Sequence, residues 1–195
     1  LTQVDVTVIQ QQYGCLYQYT DKTAMLHEDD IPEEMKIQTG ERMGLVREMV
    51  RYGAMKAATN VIYSGGTTRA TVDEAITLKT VRRMTRILDA NHAKMKSRIL
   101  SGSPFYETKP IEAAWCVFVH TDAAADIRDL AGFTPVAEYG QRQPMHEKEI
   151  GSVETFRFIL SPELSAYADS GAAVGSTGLF STTGTSIDVY PFIVM

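Results

Sequence analysis

Val4, Val6 and Val8 alternate with Asp5 and Thr7, the period-two pattern of a half-buried strand, which predicts a strand over residues 1–12 before Tyr13-Gly14 marks a bend. Past His27-Glu28-Asp29-Asp30 the period changes. Met35, Thr39, Met43, Val46, Val50, Gly53 and Ala57 step by threes and fours, which predicts a long helix over about residues 30–60 with one continuous buried stripe. Asp30 is placed to cap it, with Glu33 at capping-box spacing and Pro32 in the first turn, where an amide has no intrahelical acceptor. Glu33 and Glu34 lie near the positive end of the helix dipole, and Arg47, Arg51 and Lys56 toward the negative end. Gly40 and Gly44 each cost roughly 1 kcal/mol against Ala inside a helix, so the pair predicts another backbone crossing closely on that face. About 26 residues would span ~39 Å, more than a compact domain of this size needs.

Asn60 to Tyr63 leaves the helix, and Ser64-Gly65-Gly66-Thr67-Thr68-Arg69 reads as a turn. Thr77 signals the cap of a second helix, with Val81, Met84, Ile87, Leu88 and Asn91 at helical spacing, broken at Ser101-Gly102-Ser103-Pro104. The apolar run Ala114 to Val119 predicts a central strand buried on both faces. A further helix opens at His120-Thr121-Asp122, capped by Thr121, with Ile127 and Leu130 facing inward and Gly132 at its end. Phe133 to Gly151 is polar and irregular, a long loop of the kind that serves function or interaction. Phe156 to Leu160 is a strand, 170–186 a Gly/Ser/Thr-rich excursion, and Ile187 to Met195 a last strand. The order of elements is α+β.

Composition narrows the class. With 195 residues, 44% hydrophobic, 22% charged and a net charge of −5, the chain is neither a disordered tail nor a disulfide-stapled miniprotein. The acidic balance argues against broad DNA binding, which needs clustered Lys and Arg to displace counterions. The nearest cluster is Arg82, Arg83, Arg86, Lys94, Lys96 and Arg98, interleaved with Met84, Ile87 and Leu88, and it reads as the wet face of an amphipathic helix. Cys15 and Cys116 are isolated in apolar or aromatic settings, which predicts reduced core thiols and a cytosolic folding compartment. No run approaches the ~20 apolar residues of a membrane span, and no signal peptide is seen. The chain opens without an initiator methionine and closes inside an apolar run, so both ends look cut and the sequence reads as the middle of a longer polypeptide.

Candidate chemistry is sparse. Gly171 to Thr177 has glycines one residue too close for a phosphate loop and lacks its lysine, so it reads as a surface loop. Ser64-Gly65-Gly66-Thr67 could offer amides to an anion, though glycines between helices are mostly turn residues. His27, Glu28, Asp29 and Asp30 are consecutive, and neighbours in a row rarely converge on one metal ion. His92, His120 and His146 lie far apart, no G-x-S-x-G elbow exists, and Cys116 in a core strand would be inert. No catalytic, cofactor-binding or metal-binding residue is assigned, and no cofactor is expected. A soluble enzyme with an anion site at Ser64 to Gly66, and a scaffold-type binding module, stand as alternatives to a structural building block.

A series of motifs carries a resemblance over nearly the whole chain. Gln12-Tyr13-Gly14, His27-Glu28-Asp29, Asn60-Val61-Ile62-Tyr63-Ser64-Gly65-Gly66 with Arg69-Ala70, Asn91-His92-Ala93-Lys94, Val119-His120-Thr121-Asp122 with Ile127-Arg128, Gly132-Phe133-Thr134-Pro135-Val136, Glu149-Ile150-Gly151-Ser152 and Val189-Tyr190-Pro191 occur in the order found in major capsid proteins of tailed bacteriophages. The sequence most resembles the podophage N-four-like group. One departure is His92, where that group often has a second Asn.

The resemblance implies an α+β Hong Kong 97-type capsid fold. Residues 1–75 would form the peripheral domain with the spine helix at about 30–60, residues 76–186 the axial domain, and 187–195 a strand returning to the peripheral sheet, where the first strand also lies beneath Gly40 and Gly44. The N-terminal arm and most of the extended hairpin would lie outside this sequence. The implied function is self-assembly, as pentamers and hexamers of a capsid lattice, into an icosahedral head shell that encloses double-stranded DNA without sequence-specific binding. Scaffolding, portal or decoration proteins would be partners, no membrane is involved, and the protein would reside in the virion after assembly in the bacterial cytoplasm. Loop position and resemblance together make Thr134, Tyr139, Gln141, Arg142, Gln143, Glu147 and Lys148 the candidate inter-subunit contacts, with 170–186 as second choice.

Overall fold

The computed structural model describes residues 7, 9–26, 28, 30–100, 108–140, 142–175 and 178–195. The chain divides into two compact units, residues 1–54 and 55–195, with the division inside the long helix.

In the first unit, helix α1 spans Asp21–Leu26 and α2 spans Ile31–Lys56. The predicted strand over residues 1–12 is not formed at residues 9–12, and residues 1–6 and 8 lie outside the described residues. Alternation marks a face but does not supply a partner strand. The bounds of α2 follow its start signals: the Asp30 carboxylate accepts from the Glu33 amide at 3.3 Å. Its predicted buried stripe differs. Met43 and Val50 are 63% and 41% exposed, and Tyr52 is the buried residue of the helix. Nothing lies within 4 Å of a Cβ built on Gly40 or Gly44, so no backbone crosses there among the described residues. Periodicity identifies the apolar face of a helix without saying what covers it.

The second unit is built on a six-stranded sheet. Its strands are β1 Lys96–Leu100, β2 Thr108–His120, β3 Thr134–Pro135, β4 Glu149–Val153, β5 Phe156–Ser161 and β6 Ile193–Val194. The order is β1-β2-β5-β4-β3, with β6 also on β2. β2 and β5 run parallel, Trp115 opposite Phe156 and Val119 opposite Leu160. The other pairings are antiparallel.

Helix α3, Leu78–Ala90, starts where Thr77 predicts: its hydroxyl accepts from the Thr80 amide at 3.3 Å. It stops earlier than expected. His92 sits at φ 52, its amide donates to Asp89 O at 3.0 Å, and the Ala93 amide donates to Leu88 O at 2.9 Å. That is a Schellman stop with a histidine in the left-handed position that Gly and Asn favour. Residues 96–100 therefore form β1, and Lys96 and Arg98 lie on a strand, not on a helix face; 101–107 lie outside the described residues.

Trp115, Val117 and Val119 of β2 enter one core with Val81 and Met84 of α3, Val153 of β4, and Phe156 and Phe158 of β5. Ile127 of the short helix α4, Ala124–Arg128, and Leu130 beyond it close that core as predicted. The cap there is His120 and not Thr121: its Nδ1 accepts from the Asp122 amide at 3.1 Å and opens a 3-10 turn at Thr121–Ala123 ahead of α4. The last residues also differ from expectation. The strand is confined to Ile193–Val194 and pairs with β2, Val117 opposite Val194. Val117 already pairs with Phe158 on one side, so β6 fills its other edge, where the Cys116 amide donates to Met195 O at 3.0 Å.

Candidate inter-subunit loop

Cys116, Phe118 and His120 alternate with the core residues of β2 and point to the second face of the sheet, as does Arg157 of β5. The loop after α4 covers part of that face. Gly132, at φ 82, ends the helical segment, and Thr134 and Pro135 pair with Ser152 and Gly151. Gly151 is required here, since a Cβ would stand 2.4 Å from Phe133 Cζ and 2.5 Å from Thr134 O. A 3-10 turn, Val136–Glu138, then delivers Tyr139 inward.

A buried polar group fixes the loop beyond that point. Tyr139 Oη donates to Glu149 Oε1 at 2.7 Å, and the Met145 amide donates to Glu149 Oε2. Arg157, 3% exposed, donates from Nη1 to Gln143 O at 2.8 Å and stands 3.8 Å from Glu149 Oε1. Its guanidinium also lies 5.5 Å from the centre of the Tyr139 ring. Burial pushes the Tyr139 hydroxyl up to about 12, and its bond to the Glu149 carboxylate acts in the same direction. Burial likewise raises the Cys116 thiol, whose Sγ is 3.6 Å from Met145 Sδ. At the mouth, Arg142 Nε pairs with Glu112 Oε2 at 3.0 Å, both half-exposed.

The candidate residues thus separate. Tyr139 faces its own chain, and Thr134 is half-buried in the β3–β4 pairing. Arg142, Gln143, Glu147 and Lys148 are exposed, and Gln141 lies outside the described residues. The second-choice loop is more tied than its composition suggests. Ala173 bridges to Ser186, and the buried Asp188 carboxylate accepts from the Asp169 amide at 2.8 Å and the Thr182 hydroxyl at 2.5 Å.

Sequence reasoning missed Glu149 and Arg157. The available signal was an arginine inside the apolar run Phe156 to Leu160, because a charge in a core strand demands a partner. It also missed a contact between His120, Asp122 and Tyr190: Tyr190 Oη donates to Asp122 Oδ2 at 2.7 Å, with the His120 and Tyr190 rings 5.4 Å apart. Burial and that bond raise the Tyr190 hydroxyl well above the ordinary tyrosine range.

The turn considered for an anion is filled by the chain itself. A Cβ on Gly65 would lie 2.0 Å from Asp73 Oδ1, and the Thr67 and Thr68 amides donate to Thr71 Oγ1 at 3.2 and 3.1 Å. The amides at 171–172 are also taken, Gly171 donating to Ile187 O at 2.8 Å and Ala172 to Val72 O at 3.0 Å. Among the described residues no cluster of His, Cys, Asp and Glu is placed to hold a metal, and no helix is long and apolar enough to cross a membrane.

Fold and loop define a mixed α+β protein with a structured, outward-facing polar loop. No known protein-family profile matches the chain. It is 21% identical over 178 residues to the major capsid protein of Pseudomonas phage KPP21, which covers 84% of this chain and 44% of that protein. The chain therefore spans less than half the length of the curated relative it matches.

Proposed function

We propose that this chain is part of a major capsid subunit of the Hong Kong 97 type, in the podophage N-four-like group, that self-assembles into the icosahedral head enclosing phage double-stranded DNA. The observation that carries this reading is the likeness over 84% of the chain to a phage major capsid protein. In it α2 is the spine helix of a peripheral domain over residues 1–75, and residues 76–186 form the axial domain. β6 is grouped with the axial strands because it pairs with β2.

The loop Thr134 to Glu149 supplies contacts around the symmetry axes, through Arg142, Gln143, Glu147 and Lys148 on its exposed side. Its interior network lowers the entropy lost on docking, since the backbone is ordered before a neighbour arrives. Many modest contacts repeated by symmetry close a shell without any one of them being strong. The net charge of −5 suits a wall that contains DNA without gripping it. Scaffolding, portal or decoration proteins are the partners, and the site of assembly is the bacterial cytoplasm.

The test is electron microscopy of the full-length protein expressed with its neighbouring genes. Shells or shell-like polyheads support the reading, and a strictly monodisperse small species at high concentration overturns it. Arg142→Glu with Lys148→Glu, both exposed, should reduce shell yield while leaving the subunit folded.

A further inference from the structure

Charge is distributed unevenly along this chain. Residues 79–98 hold seven of its 19 basic residues, namely Lys79, Arg82, Arg83, Arg86, Lys94, Lys96 and Arg98, with Asp89 as the lone acid. On α3, Lys79, Arg82, Arg83 and Arg86 recur at steps of three and four, an exposed stripe opposite the buried Val81 and Met84. Arg82 already holds a carboxylate there, with Nε 2.8 Å from Glu154 Oε1. Among the described residues no carboxylate stands in ion-pair range of Lys79, Arg83 or Arg86.

The complement lies in the other unit. Glu28, Asp29, Asp30, Glu33 and Glu34 fall within seven positions that contain no basic residue. Glu28, Glu33 and Glu34 are exposed, and among the described residues none of them has an ion-pair partner. Apolar groups accompany both segments: Ile87 is 39% exposed beside the basic stripe, and Leu26 and Ile37 are 84% and 55% exposed on either side of the acidic run.

We propose that the α3 stripe is a docking surface for the acidic start of α2, Glu33 and Glu34, of a second copy of this chain. The contact is heterologous, since the two surfaces differ, and a heterologous contact repeats around a ring or across a lattice. A duplex phosphate backbone would also meet the positive charge, but it has no use for Ile87, whereas a peptide flanked by Leu26 and Ile37 matches both elements. Exposed ion pairs contribute little singly, so the contact sets register and encounter rate and weakens with salt. The proposal rests on the capsid reading.

The experiment is a charge swap in the full-length protein expressed with its neighbouring genes. Arg83→Glu with Arg86→Glu, and separately Glu33→Lys with Glu34→Lys, should each weaken self-association in sedimentation velocity by about tenfold or more at low salt. Far-UV circular dichroism should be unchanged, because all four side chains are exposed. A mixture of the two variants should recover association, since each then offers the other an opposite charge. Reversals that assemble as wild type does, or a mixture that fails to recover, overturn the docking surface and leave the capsid reading standing. Wild type that associates but builds no shell overturns the capsid reading alone, and wild type that never associates overturns both. Unchanged association with loss of duplex DNA retention in a mobility shift assigns the stripe to DNA and overturns the proposal.

Discussion

Arg157 and Glu149 face each other across neighbouring strands with Nη1 and Oε1 3.8 Å apart and side chains 3% and 0% exposed. Removing one member of a buried pair strands the other charge, whereas a well-packed apolar pair in place of both is often tolerated. Arg157→Met should therefore destabilise the second unit by roughly 3 kcal/mol or more. Arg157→Met with Glu149→Gln should recover part of that loss, because the neutral amide leaves no buried charge and can still bond Tyr139 and the Met145 amide. Urea unfolding followed by the fluorescence of Trp115, which sits in the core, reads both.

Tyr139 gives a dependence on alkaline pH. Its folded value of about 12 lies above the ordinary 10.0, so the folded state holds the proton more tightly than the unfolded chain. The associated stability is complete below pH 10 and is lost as pH rises from 10 to about 12. Tyr139→Phe should flatten the part of the decline due to this hydroxyl. Near neutral pH the variant should cost about 1–3 kcal/mol, because Glu149 loses a buried donor. Thermal melts of both proteins across that range provide the check.

Gly151→Ala tests the seat of the loop. The added methyl meets Thr134 O, a backbone atom, as well as the Phe133 ring, so the β3–β4 pairing must shift. A loss of about 1–3 kcal/mol is expected. Faster hydrogen exchange at Ser152 should accompany it.

Tyr167 holds the end of α2 within the second unit. Lys56 Nζ and Arg69 Cζ lie 4.0 and 3.6 Å from its ring centre, and its hydroxyl donates to Lys56 O at 2.9 Å. Burial, then Arg69, lowers the Lys56 ammonium from its ordinary value. Tyr167→Phe removes one hydrogen bond, and Tyr167→Leu removes the ring contacts too, each step costing about 1 kcal/mol. Increasing hydrogen exchange in the last turn of α2, in that order, is the expected readout.

Local signals in the sequence located elements better than they located burial. Asp30, Pro32 and Glu33 mark the start of α2, and Thr77 that of α3, because caps act within one turn. The stop at His92 was not legible, since nothing local requires a histidine to take a left-handed conformation. The apolar run of β2 revealed its core role, but not that β5 would pair in parallel or that Val194 would take the remaining edge. Those are long-range choices. In the loop, the contacts of Tyr139 with Glu149 and Arg157 were not legible, because Arg157 is distant in sequence and sits on another strand.

The parallel register of β2 with β5 also orders events in folding. β4 and β5 are joined by the two-residue turn Glu154-Thr155, with Glu154 at φ 51, and such a hairpin closes within microseconds. Trp115 must then reach Phe156 across α4, β3 and the whole loop, a slower closure because the contact is distant in sequence. Until it arrives, the β5 edge is open to any other chain. Soluble yield should therefore depend on chain concentration during synthesis, and slower expression should favour the monomeric fold over early cross-pairing.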